Sequence, residues 1–257
     1  MNRSLVSRSN HQRPKRRIIP EVATSPETMK DKILTTGFFD QPAPKLAIDL
    51  LGKVLRHKVT LPSGNSVWLA ARIIETEAYE ISEKGSHSSL GFTEKRRAMF
   101  MSPGTIYMYY ARGRDSLNFS ARGEGNAVLI KSGYPHIDTL SPNDTIATMQ
   151  SLNPATNGNR TPQKLCSGQT LLCRSLNLKV VDWNQQTMKS GRFRLEDVGY
   201  RPDKVVQCPR LGIPVGRDHE LTRRYVDYDF AKYCTSNPLS KLNWQLNRDY
   251  FILNVQV

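Results

Sequence analysis

Glu75 and Glu77 stand two residues apart in Ile73-Ile74-Glu75-Thr76-Glu77-Ala78-Tyr79-Glu80, at the end of an apolar run that begins at Val67. Glutamate is depleted in strands and is rarely fully buried without a partner. Alternate side chains of an extended chain share a face, which predicts Ile73, Glu75, Glu77 and Tyr79 on one side and Thr76 and Ala78 on the other. The two carboxylates would then lie roughly 7 Å apart. Such a pair can divide into a catalyst and its partner, or organise one water. A carboxylate desolvated beside a tyrosine also binds its proton more tightly unless basic groups offset the burial. Taken alone, the stretch rather favours two acids on a solvated strand end, paired with Arg or Lys.

Other residues near this stretch carry possible chemistry. His87 follows within ten residues of Glu77, in a polar segment, and on its own reads as structural more readily than as functional. Tyr107, Tyr109 and Tyr110 suit sheet packing, and in basic surroundings they also suit stacking against a nucleic-acid base. Asn118 and Lys131 are polar where a core would prefer apolar side chains. Cys166, Cys173, Cys208 and Cys234 form no CxxC pair, so no metal site is expected.

The elements that must position these groups can be outlined. Gln41-Pro42-Ala43-Pro44 ahead of LAIDLLGKVL predicts a helix start, with Leu46, Ile48 to Leu51, Val54 and Leu55 as its core face. Pro62-Ser63-Gly64-Asn65 predicts a turn joining strands over 53–60 and 66–79. Residues 81–97 read as a loop, GTIYMYY (104–110) as a strand, and NAVLIK (126–131) as another. Ser141-Pro142-Asn143-Asp144 predicts a capped helix start, residues 153–163 a linker, and Ser167 the cap of a helix through Leu171, Leu172 and Leu176. Strands are expected over 204–213 and 222–228. Hairpins with helices between them imply an α+β fold around an antiparallel sheet.

The chain has 257 residues, 38% of them hydrophobic, and a formal charge of +14. Residues 1–30 supply +5 and read as a flexible basic tail, in which Pro14-Lys15-Arg16-Arg17 could serve targeting; residues 31–257 are expected to form one domain. A folded part carrying the other +9 should attract a polyanion: nucleic acid, an anionic membrane surface or an acidic protein. No stretch of 18 apolar residues occurs, and the first thirty residues hold no apolar signal core, which disfavours membrane spanning and secretion. Reduced cysteines inside a cell follow.

FFDQPAPKLAIDLLGKVL, ARIIETEAYE, MFMSPGTIYMYY, GEGNAVLIK and KLCSGQTLLCRSLNL, in this order, resemble the alkyladenine (3-methyladenine) DNA glycosylase family over about Phe38 to Tyr225. E-T-E-A-Y followed by a histidine and then M-F-x-x-P-G-T-x-Y-x-Y is a specific combination. The resemblance implies a single α+β domain with a curved, open barrel-like antiparallel sheet flanked by helices, and no metal or organic cofactor. It implies excision of alkylated or deaminated purines (3-methyladenine, with 7-methylguanine, hypoxanthine and ethenoadenine as further candidates) from double-stranded DNA by a monomer. The compartment would be the cytoplasm or nucleoid of a bacterium, or the nucleus of a eukaryote. On this sequence Glu77 falls at the water-activating position. Tyr79, His87 and Tyr109 fall at the pocket walls, Asn118 at the asparagine that excludes guanine, and Leu211 in the segment whose backbone holds the nucleotide. Lys131 stands where the family often has an arginine near the water or a phosphate.

The chain departs from the pattern after the tyrosine strand. Arg112 to Asn118 replaces the usual Tyr-Gly-Met stretch, and Arg112, with Tyr110 as its rival, takes the place of the wedge that fills the stack behind a flipped base. A planar guanidinium can plug a stack. No lysine in the motif is an obvious Schiff-base nucleophile, so a monofunctional enzyme that leaves an abasic site is expected. The rival expectation is a weakly catalytic or non-catalytic binder of damaged DNA. An O-glycoside hydrolase using both glutamates is a more distant one.

Overall fold

A computed structural model describes residues 32–241 and 243–255. The basic tail expected over residues 1–30 lies outside the described residues. The chain forms one ten-stranded antiparallel sheet with short helices: an α+β fold. The strands are β1 (Lys32–Ile33), β2 (Val54–Thr60), β3 (Ser66–Tyr79), β4 (Ile106–Ala111), β5 (Arg114–Ser120), β6 (Ala127–Pro135), β7 (Phe193–Asp197), β8 (Lys204–Cys208), β9 (Arg224–Asp227) and β10 (Phe251–Asn254). Their main order is β1-β7-β2-β3-β6-β5-β4, and a branch of β9, β8 and β10 leaves from β3. The longest strand therefore changes neighbour along its length. Its first half pairs with β2, while Glu75 to Glu77 lie between β6 and β9.

The β2–β3 hairpin forms where the turn residues place it, with Gly64 at φ +85° and the Leu61 N–H bonded to the Asn65 carbonyl at 2.7 Å. Helix α1 (Ala43–Asp49) starts behind Pro42 and carries Leu46 and Ala47 into the main core. It packs across β3 and β6, and α3 (Gln169–Ser175) packs across β5 and β6. Thr76 donates its hydroxyl to the Ala47 carbonyl at 2.8 Å, which ties the acidic end of β3 to α1. The four cysteines are buried and free. Burial pushes the Cys166 and Cys208 thiols up to about 12.

Three local expectations are corrected. Ser141 does not cap a helix: its N–H is held by Asp138 and its hydroxyl by Arg56, and α2 begins later, over Thr145–Leu152. Ser167 does not cap α3 either, because Gly168 occupies that position at φ +105° and the Ser167 hydroxyl turns to the Cys234 carbonyl. The loop over 81–97 contains one 3-10 turn, His87–Leu90, and runs into a second, Glu94–Phe100. The alternation read through Ile73 also fails. Ile73 lies with Ala78 in the main core, whereas Ile74 packs with Val206 and Val226 in a second cluster.

The cause of that last failure is a double irregularity between β3 and β6. Ile73 pairs with Gly133, Glu75 with Ser132, and Thr76 with Ile130, so Ile74 and Lys131 are each passed over. A bulge of this kind re-aims a side chain, often beside a functional site. Here the re-aimed residues are Ile73 and Ile74, while Lys131 keeps the face of Ala127 and Leu129 on β6.

Candidate active site

Lys131 extends its Nζ to 3.3 Å from Oε1 of Glu77. The Glu77 side chain is fully buried, and two further donors reach it: the Tyr79 hydroxyl at 2.7 Å to Oε2 and the Leu211 backbone N–H at 3.3 Å to Oε1. Burial alone would raise its pKa. The Lys131 ammonium, the Tyr79 hydroxyl, Arg224 and the Leu211 N–H outweigh that burial and hold the carboxyl below its ordinary value. At neutral pH Glu77 is a carboxylate. Burial and the neighbouring Glu77 charge push Tyr79 well up, so Tyr79 is a neutral donor.

Beyond these three donors opens a cavity of about 650 Å³, lined among others by Tyr79, His87, Tyr109, Asn118, Lys131 and Leu211, with Glu77 itself behind the lining. Every pocket residue singled out in the sequence thus lines one space. The volume lies within the usual range for a small-molecule site. Tyr107 and Tyr109 stack at 5.5 Å with 25° between their planes, and His87 stands edge-on to Tyr109 at 4.6 Å. His87 Nδ1 and the Tyr107 hydroxyl share a hydrogen bond of 3.1 Å. Burial, then Arg96 and Arg217, lower the pKa of His87, and burial with Tyr109 raises Tyr107 to about 12. These parts of the wall are therefore uncharged aromatic faces and edges, while Arg112, Arg114 and Lys131 bring basic groups to the same lining.

Asn118 is buried on β5, directly opposite Tyr107 and Leu129, and donates its amide to the Tyr107 carbonyl at 3.0 Å. The two wedge candidates separate. Arg112 occupies the tight β4–β5 turn at φ +50°, ahead of Gly113 at +75°, and it is exposed at the cavity mouth. Tyr110 is also exposed but is not among the cavity-lining residues.

Glu75 occupies a different setting. Its oxygens accept from Arg224 Nε at 2.7 Å, the Thr235 hydroxyl at 2.6 Å, the Thr235 N–H at 3.0 Å and the Ser132 hydroxyl at 2.5 Å. The pairing with an arginine is as one sequence reading had it, but Thr235 and Ser132 gave no local signal. A second set of residues also escaped the sequence. Arg210 lies 4.5 Å from the Tyr79 ring centroid and donates to the Ala78 carbonyl at 2.8 Å and to buried Glu83 at 2.5 Å. Arg223 grips the same Glu83 at 2.9 Å. This clamp fixes the ring that forms one wall, and a charged arginine in a Pro-Arg-Leu-Gly segment was its only trace in the sequence. Among the described residues no cluster of His, Cys, Asp or Glu could hold a metal ion, and no helix is long and apolar enough to cross a membrane.

Residues 37–230 match the family model described as methylpurine-DNA glycosylase. A protein of Pseudomonas savastanoi pv. phaseolicola is 55% identical over 86% of this chain and 97% of its own length. One of Pseudomonas aeruginosa is 56% identical over 87% of this chain and 91% of its own length. A more distant relative from the archaeon Methanocella arvoryzae is 34% identical over 79% of this chain and 96% of its own length. All three carry the provisional name 3-methyladenine DNA glycosylase.

Proposed function

The chain belongs to the methylpurine-DNA glycosylase family, and from that premise we propose that it hydrolyses the N-glycosylic bond of 3-methyladenine and related damaged purines in duplex DNA, leaving an abasic site. The observation that carries this reading is the ionised, buried Glu77, held through Tyr79, Lys131 and Leu211 just behind a cavity that has neutral aromatic faces.

A base inside a duplex is out of reach, so the nucleotide must be extruded at a cost of a few kcal/mol. Stacking on aromatic side chains returns about 1–3 kcal/mol per base. Tyr79, His87 and Tyr109 supply those surfaces, and Asn118 restricts what fits beside them. As the bond between the sugar and the purine N9 breaks, positive charge grows on the sugar. The Glu77 carboxylate stabilises that charge and takes the proton of the water that attacks the sugar carbon. The bonding pair leaves with the base. An alkylated purine that is already cationic departs as a neutral molecule and needs no acid. Hypoxanthine lacks this advantage and should be released more slowly.

Lys131 supports the water-activating role by keeping Glu77 ionised. It is also the one lysine among the cavity-lining residues, and that observation favours a second reading, in which its amine attacks the sugar and later cuts the strand. Its Nζ is engaged by the Glu77 carboxylate at 3.3 Å, which speaks for the hydrolytic reading. Incubation with methylated duplex DNA decides between them. Strand breaks only after alkali are expected. Breaks without alkali, together with a borohydride-trapped protein–DNA adduct lost in Lys131→Gln, would establish the second reading. Tight lesion binding without abasic sites would leave only a damage binder.

A further inference from the structure

Beside the base cavity lies a second, open trough of about 530 Å³, lined by Arg114, Arg160, Arg174, Thr156, Thr170 and the 154–155 backbone, with Leu171 at its base. No carboxylate lines it. Among the described residues, none of the three arginines has an acid within ion-pair distance, although most buried or half-buried arginines of this protein do. Asp115, the acid next to Arg114 in sequence, turns away and accepts from the Val180 N–H at 2.8 Å.

The trough is also built. Arg160 donates to the carbonyls of Asn153 and Pro154 at 3.4 and 3.2 Å, which aims its guanidinium. Asn153 is itself fixed from below, its amide donating to the Leu165 carbonyl at 2.9 Å and to the Ser175 hydroxyl at 3.0 Å. Thr170 and Arg174 sit one turn apart on α3 and share a face. Arg114 and Thr170 line both the trough and the base cavity, so the two spaces are continuous.

Unpaired guanidiniums are the side chains best matched to phosphodiester oxygens. We propose that this trough seats the phosphates of the DNA strand on one side of the extruded nucleotide, with Arg160 and Arg174 each neutralising one phosphate. The inference rests on DNA being the substrate, and it assigns a direction: the grip is lopsided, extending from the cavity along α3 and the 153–160 segment.

Each neutralised phosphate contributes about 0.9 to the slope of log K against log salt concentration. Binding of undamaged and lesion duplexes to R160Q/R174Q should therefore show a slope shallower by about 1.8 than the wild type. Raising salt from 50 to 200 mM would cost the wild type about 12-fold more affinity than the variant. R160K/R174K should retain most of the wild-type slope, and Lys58→Gln, at an exposed position near the end of β2, should not change it. Trimming the duplex on one side of the lesion, and not the other, should remove the same slope from the wild type while leaving R160Q/R174Q unaffected. Equal slopes for wild type and R160Q/R174Q, or equal effects of trimming on either side, would overturn the proposal. Because undamaged DNA is bound without excision, this test can succeed or fail independently of the glycosylase reading.

Discussion

Glu75 and Glu77 are separated by one residue on the same strand, and both are fully buried. Around Glu75, four donors lie between 2.5 and 3.0 Å, and Arg224 at its side is buried as well. Around Glu77 there is one short bond, from Tyr79, and two longer approaches of 3.3 Å, with a cavity on the far side of those donors. The first carboxylate has its hydrogen-bonding capacity filled by the protein. The second retains capacity for something the protein does not supply. In a pair of equally buried acids, the one that is less saturated, with a cavity just beyond its donors, is the candidate for chemistry, and the one that is filled holds the fold.

The largest expected effect breaks this contrast directly. Glu77→Gln should lower the single-turnover excision rate by about 10²–10⁴-fold, the range for loss of a general base, while lesion affinity changes little. A variant with full activity would move the role to Glu75. Next in size, Glu75→Ala strands Arg224 without its counter-charge and should cost roughly 3–5 kcal/mol in denaturant unfolding. A loss below 1 kcal/mol would show that the Glu75 cluster is not what pins β3 to β9.

A smaller and more specific effect concerns pH. The folded-state pKa of Glu77 is depressed, so its charge, and any stability linked to it, is present above the ordinary carboxylate range and lost only as pH falls through the depressed value. Excision should be level through neutral pH and decline in acid. Lys131→Gln removes the foremost opposing charge and leaves burial in place, so the acid limb should move to higher pH. An unmoved limb in a pH–rate profile would mean that Lys131 does not set the ionisation of Glu77.

How much of this was legible depended on how far away each residue's partner lies. The β2–β3 hairpin was readable because Pro62 to Asn65 and the flanking alternation act locally. Ser141 and Ser167 misled because Arg56 and Cys234, 85 and 67 residues away, claim their hydroxyls before a helix can. Alternation placed both glutamates on one face. It could not separate them, because Arg224, Thr235 and Leu211 all come from more than 130 residues downstream. The irregularity that turns Ile73 into the main core and Ile74 out of it depends on the pairing of two strands and leaves no mark on either strand alone.

The four enclosed cysteines bear on what it takes to work where alkylating agents are present. Such agents attack thiolates far faster than thiols, and Cys166 and Cys208, with pKa values near 12, stay protonated in any cellular fluid. Cys173 and Cys234 are likewise buried and shifted upward. A protein of the methylpurine-DNA glycosylase family thus presents to those electrophiles no sulfur nucleophile from its cysteines. The fold keeps all four thiols enclosed and protonated.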